Sequence, residues 1–159
     1  MRTLLLCVLA LCSHVMSMTA QVTGRIEYPY RADYEDQLVL PIGDKGLVIQ
    51  SFAKDSKAGK RYFKTEFYST MMNPVSTDSM LIDKGMYYYS NIVDNGVLYT
   101  VLRESDGTFM IVAFNATTHK ITVTDGEYTR KGTMRNLIIS NDNVVFSSTQ
   151  KKIDRIGII

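Results

Sequence analysis

A short turn-and-strand unit starts three times along this chain at nearly constant spacing, and a recurrence of that kind signals a repeat architecture. Ile42-Gly43-Asp44-Lys45-Gly46 leads into Leu47-Val48-Ile49, and Ile92-Val93-Asp94-Asn95-Gly96 leads into Val97-Leu98-Tyr99. Ile139-Ser140-Asn141-Asp142-Asn143 leads into Val144-Val145-Phe146, so the starts lie 50 and 47 residues apart. Asp, Asn and Gly tolerate the positive φ that tight turns between right-twisted antiparallel strands require.

Around these starts, short runs rich in Val, Ile, Tyr, Phe and Thr alternate with polar turn residues, the composition of a pleated, half-buried surface. No stretch holds the i, i+3, i+4, i+7 pattern of an amphipathic helix. The expected strands are Gln37 to Pro41, Leu47 to Ala53, Tyr62 to Ser69, Ser79 to Asp83, Met86 to Asn91 and Val97 to Glu104. They continue with Thr108 to Asn115, Lys120 to Thr124, Asn136 to Ser140, Val144 to Thr149 and Ile153 to Ile159. The expected class is therefore all-β and antiparallel.

Each unit adds a second turn, at Lys54 to Lys60, Ser105-Asp106-Gly107 and Gln150-Lys151-Lys152, and a fourth strand follows in the first two units. Four strands in about 47 to 50 residues resembles the generic blade of a secreted β-propeller, over Gln37 to Ile159. The likeness is one of architecture: the chain has no tryptophan for a Trp-Asp blade ending and no Gly-Gly pair of the kelch type. A β-sandwich is the alternative, and an up-and-down barrel also fits the length. A closed propeller needs about four to eight blades. Text for two and a half to three therefore sets the expectation that the chain is truncated at its C-terminus.

The N-terminus reads as a signal peptide over residues 1–20. One positive charge at Arg2 precedes the apolar run Thr3 to Cys12, and the small and polar residues Ser13, Ser17, Thr19 and Ala20 follow. The run is too short for a bilayer, which needs roughly 20 apolar residues. Cleavage after Ala20 is preferred over cleavage after Ser17, and Leu9-Ala10-Leu11-Cys12 is a poor lipobox because Leu11 is bulky. Residues 21–36 then form an N-terminal segment and 37–159 the β-repeat domain. The expected location is extracellular, or periplasmic or cell-surface in a bacterium.

Both cysteines, Cys7 and Cys12, fall in the leader, so the mature chain lacks a disulfide, a thiolate metal site and a cysteine nucleophile. Losing Arg2 lowers the net charge from +2 to +1, which offers no general attraction to nucleic acid or to an anionic membrane. His119 is the one mature histidine, which excludes a histidine metal triad and an HExxH site, and it reads as a surface-turn residue. No Gly-x-Ser-x-Gly elbow, P-loop or calcium loop is present. No cofactor, metal or catalytic residue is expected.

Asp33, Glu35 and Asp36 cluster before the first expected strand, and Glu104 and Asp106 flank a turn. Such carboxylates cap their own backbone more often than they form the acid and base pair of a glycosidase. Lys54, Lys57, Lys60, Arg61 and Lys64 read as a solvated hairpin tip, with Arg61, Phe63 and Thr65 on one strand face and Tyr62, Lys64 and Glu66 on the other. Asn115-Ala116-Thr117 is a glycosylation sequon, usable in a eukaryotic host.

Tyrosine is the enriched side chain, and its rigid ring with a polar tip suits glycan stacking or protein contacts. Tyr28, Tyr30, Tyr34 and Tyr88 are the candidate binding residues, Tyr88 standing in the run Tyr87-Tyr88-Tyr89. The functional expectation is a secreted, non-enzymatic binding module with a protein or glycan partner. The alternative is the N-terminal part of a secreted propeller-class glycan hydrolase or lyase.

Overall fold

The computed structural model describes residues 32–127, 133–140, 143–150 and 153–158, and they form three antiparallel sheets. The first contains β1 (Tyr34–Pro41), β2 (Leu47–Ala53), β3 (Lys60–Tyr68) and β4 (Pro74–Asp83), in that order. The second contains β5 (Tyr87–Asp94), β6 (Val97–Arg103), β7 (Thr108–Asn115) and β8 (Lys120–Glu127), again in chain order. The third pairs β10 (Asn143–Gln150) with both β9 (Thr133–Ser140) and β11 (Ile153–Ile158). Every pairing is between neighbours in sequence, the sheets do not close into a barrel, and no α-helix occurs among the described residues.

All eleven expected strands are present, and the differing starts of β1 and β4 have physical causes. β1 begins at Tyr34 instead of Gln37 because a bulge interrupts its pairing with β2 between Glu35 and Leu38. Asp36 there takes φ 50°, which breaks the alternation a strand otherwise writes into its text. β4 begins at Pro74 instead of Ser79. The stretch Pro-Val-Ser-Thr-Asp has weak strand composition, but it is held by the register of Tyr68 with Pro74, Phe67 with Ser76 and Glu66 with Thr77. Proline is tolerated because it is the first residue of an outer strand.

Two of the three similar turn texts close in different ways, and the central residues of the third, 141–142, lie outside the described residues. Asn95 (φ 46°) and Gly96 (φ 77°) make a two-residue turn between the paired residues Asp94 and Val97, the left-handed hairpin geometry that Asn-Gly favours. Between β1 and β2 the loop is longer. Ile42 donates its N–H to the Gly46 carbonyl at 2.8 Å, and Gly43 to Lys45 form a single 3-10 turn. Gly46 sits at φ 132°, and a Cβ there would stand 2.0 Å from the Tyr68 carbonyl oxygen. Ile42 is consequently a buried loop residue, whereas Ile92 is a strand residue opposite Tyr99.

The two four-stranded sheets pack face to face with like strands opposed. Val48 and Phe67 from the first sheet meet Leu98 and Phe114 from the second, the Phe67 and Phe114 rings lying 5.3 Å apart. A second apolar cluster joins Phe52, Phe63 and Ile82 to Met86, Leu102 and Val112. Between the clusters lies a polar contact, in which Thr100 Oγ1 donates to Gln50 Oε1 at 2.9 Å. Burying each large apolar side chain of the two clusters contributes roughly 1.5–3 kcal/mol. The second sheet is buried on its other face as well, through Val101, Phe109 and Ile111, and the β9 backbone runs close to β5.

Candidate ligand-binding cleft

The first sheet carries an open cleft of about 640 Å³ where β1 starts and the β2–β3 hairpin ends. Register builds its floor from one side chain per strand. Tyr34 on β1 is paired with Ala53 on β2, and Tyr62 on β3 with Leu81 on β4. Phe52 opposite Phe63 sets Ala53 beside Tyr62 in the same register, so the four residues form an apolar row across the whole sheet. Strand spacings of about 4.8 Å make that row roughly 14 Å long. Tyr62 is 50% exposed and Leu81 54% exposed, while Tyr34 is half-buried.

The rim is polar. Asp33 precedes β1, and Asp55, Ser56, Lys57 and Ala58 come from the β2–β3 hairpin. That hairpin closes through Lys57 and Lys60, which exchange backbone hydrogen bonds at 2.9 and 3.1 Å. Its two central residues, Ala58 (φ 52°) and Gly59 (φ 75°), both lie in the left-handed region. Two further bonds tie the rim to the sheet: Lys54 N–H donates to the Asp33 carbonyl at 2.8 Å, and Lys84 N–H to the Gly59 carbonyl at 2.8 Å.

The basic run is not one solvated tip, which corrects the sequence reading. Lys54, Lys57 and Lys60 are exposed, but Arg61 and Lys64 are buried. Arg61 donates to Glu35 Oε1 at 2.6 Å and to the Met86 carbonyl at 2.5 Å, with its guanidinium 4.2 Å from the centre of the Phe52 ring. Lys64 pairs with Glu66 at 2.8 Å, and its ammonium lies 5.4 Å from the centre of the Tyr34 ring. The expected alternation of faces along β3 is present. Both faces are covered from Phe63 to Phe67, however, so charges that read as surface are spent on internal partners.

Of the candidate tyrosines, Tyr28 and Tyr30 lie outside the described residues, and the structure does not bring Tyr34 and Tyr88 together. Tyr88 packs against the Phe52 and Phe63 cluster, and its hydroxyl accepts a hydrogen bond from Asn91 Nδ2. Burial pushes that hydroxyl above its ordinary pKa, and the Asn91 bond offsets part of the rise. Tyr87 and Tyr89 flank the Arg103 guanidinium at 5.7 and 5.0 Å. Tyr62 and Leu81 complete the cleft although neither is conspicuous in the text, because only strand register sets them beside Tyr34.

The other polar candidates serve their own turns. Asp106 Oδ1 accepts from Thr108 N–H at 2.8 Å, and Asn115 Oδ1 accepts from Thr117 and Thr118 N–H at 2.9 and 3.0 Å. His119 is exposed at φ 57°, its ring 5.4 Å from that of Phe67. Among the described residues, no group of three or more His, Cys, Asp or Glu is placed to hold a metal ion. No helix among them is long and apolar enough to cross a membrane.

Fold and cleft together define an all-β protein of stacked four-stranded antiparallel sheets with an aromatic-floored surface cleft. Comparison with protein-family models, with curated proteins and with solved structures gives no match.

Proposed function

We propose that this protein is a secreted, non-enzymatic binding module of β-propeller type whose ligand is a protein or a glycan. The observation that carries the architecture is the opposition of like strands. β2 lies over β6 through Gln50 and Thr100, and β3 over β7 through Phe67 and Phe114, as in consecutive blades. The third recurrence of the turn text, at Ile139 to Asn143, supports a further unit of the same kind. Binding without turnover is supported by the cleft, whose exposed aromatic and apolar floor holds a ligand and whose rim orients it.

A second reading rests on one observation: Asp33 and Asp55 line the same cleft. Two carboxylates in a sugar-sized cleft are the minimum equipment of a glycoside hydrolase. In that reading the chain is the N-terminal part of a secreted propeller-class glycan hydrolase or lyase.

One experiment addresses both. The full chain is expressed with its own N-terminus in a secreting host, and the recovered protein is sequenced and incubated with oligosaccharides. The binding reading expects Gln21 as first residue and saccharides returned intact. Retention of Met1 inside the cell contradicts secretion, and cleavage products abolished by Asp33→Asn or Asp55→Asn favour the enzyme.

A further inference from the structure

We infer that the cleft seats an uncharged, linear saccharide chain laid across the strands, with two of its rings stacked on Tyr34 and Tyr62. This rests on the binding-module reading and names the ligand class for it.

The floor carries the inference first. Tyr34 and Tyr62 stand on β1 and β3 with Ala53 between them, two strand spacings or about 10 Å apart. Alternate rings of an extended saccharide chain span that distance, and the small Ala53 leaves room for the ring between them. Leu81 extends the apolar row past Tyr62 by one more strand. A tyrosine ring presents an apolar face to the C–H face of a sugar and a hydroxyl to water, the amphipathic match that stacking requires.

Charge decides against an anionic chain. Lys60 is paired with Asp83 at 3.2 Å and Arg61 with Glu35 at 2.6 Å, so two of the cations lining the cleft are balanced by carboxylates. The remaining charged lining residues are Asp33, Asp55 and Lys57, of mixed sign. Carboxylates and an ammonium at the rim accept from and donate to hydroxyls, which a neutral sugar supplies in abundance.

Backbone pairing decides against an extended peptide. The row crosses the sheet instead of following an edge, and the backbone groups beneath it are engaged in the β1–β2–β3–β4 ladders. A peptide strand lying there would find no backbone ladder to join.

The test is calorimetric titration of the secreted full chain with hexasaccharides of β-1,4-linked glucose, N-acetylglucosamine and mannose, and with an oligogalacturonide as the anionic control. Tyr62→Ala and Tyr62→Phe are compared with the parent after circular dichroism confirms their fold. Binding of at least one neutral chain is expected, weakened about tenfold or more by Tyr62→Ala and kept within about threefold by Tyr62→Phe. Binding that ignores Tyr62→Ala overturns the cleft assignment and leaves the module reading standing. Preference for the oligogalacturonide, or the absence of any neutral binding, overturns the ligand class alone. Cleavage of the bound chain overturns the module reading itself.

Discussion

Thr100 Oγ1 and Gln50 Oε1 meet at 2.9 Å between the two sheets, joining residues 50 positions apart that each stand fourth after a turn glycine. Equivalent points of successive units thus touch each other. Gln50 Nε2 and the neighbouring Thr65 Oγ1 have no hydrogen-bond partner among the described residues, so this contact carries the polar satisfaction of the layer. Thr100→Val strands the Gln50 carbonyl in an apolar setting and is expected to cost about 1–3 kcal/mol in urea unfolding. Gln50→Leu combined with Thr100→Val restores most of that loss, giving a positive coupling in the double-mutant cycle. Simple additivity of the two single changes would contradict the contact.

Turn geometry predicts opposite outcomes at two small residues. Gly46→Ala places a Cβ against the Tyr68 carbonyl at a φ that side chains avoid, and a loss of about 2 kcal/mol or more is expected. Ala58→Gly relieves a left-handed alanine at the rim of the cleft and is expected to raise stability by roughly 0.5–1 kcal/mol. Thermal unfolding of both variants reads the two signs directly.

The Lys64 and Glu66 pair is buried, with side chains 9% and 7% exposed. Lys64→Met alone removes one partner of a buried carboxylate and is expected to cost about 1–3 kcal/mol, whereas Lys64→Met with Glu66→Leu recovers part of it. Equal loss in the single and double variants would show that the pair is solvated.

Tyr88 supplies a pH signature. Its hydroxyl pKa is raised by burial, so the folded state holds the proton more tightly than the unfolded state. Its contribution is fully present below the ordinary tyrosine pKa of about 10 and is lost as pH climbs from there through the folded value. The parent therefore loses stability more steeply than Tyr88→Phe above about pH 10, as followed by denaturant midpoints across that range. Parallel curves would contradict the burial.

Much of this architecture is legible in the text because strands write their period into it. Leu47 to Ala53 and Thr108 to Asn115 are found with the expected bounds, and the Asn95-Gly96 turn follows from its residue types alone. The bulge at Asp36 is not legible, since a left-handed aspartate removes the alternation that would announce the strand. Nor is the start of β4, where the partner strand and not propensity holds Pro74 in place. Arg61 and Lys64 read as surface charges because their partners, Glu35, Met86 and Glu66, are set by pairing and packing. The cleft is hidden for the same reason: Tyr34, Ala53, Tyr62 and Leu81 become neighbours only once register is known.

The most direct measurement is an amide chemical-shift titration of the isotope-labelled chain with whichever neutral hexasaccharide binds in calorimetry. Shifts centred on Tyr34, Ala53, Tyr62, Leu81 and the hairpin from Asp55 to Lys60 are expected, with the saccharide recovered unchanged. Shifts centred elsewhere, around Tyr88 or at the opposite loops, or a saccharide recovered in pieces, would contradict the proposal.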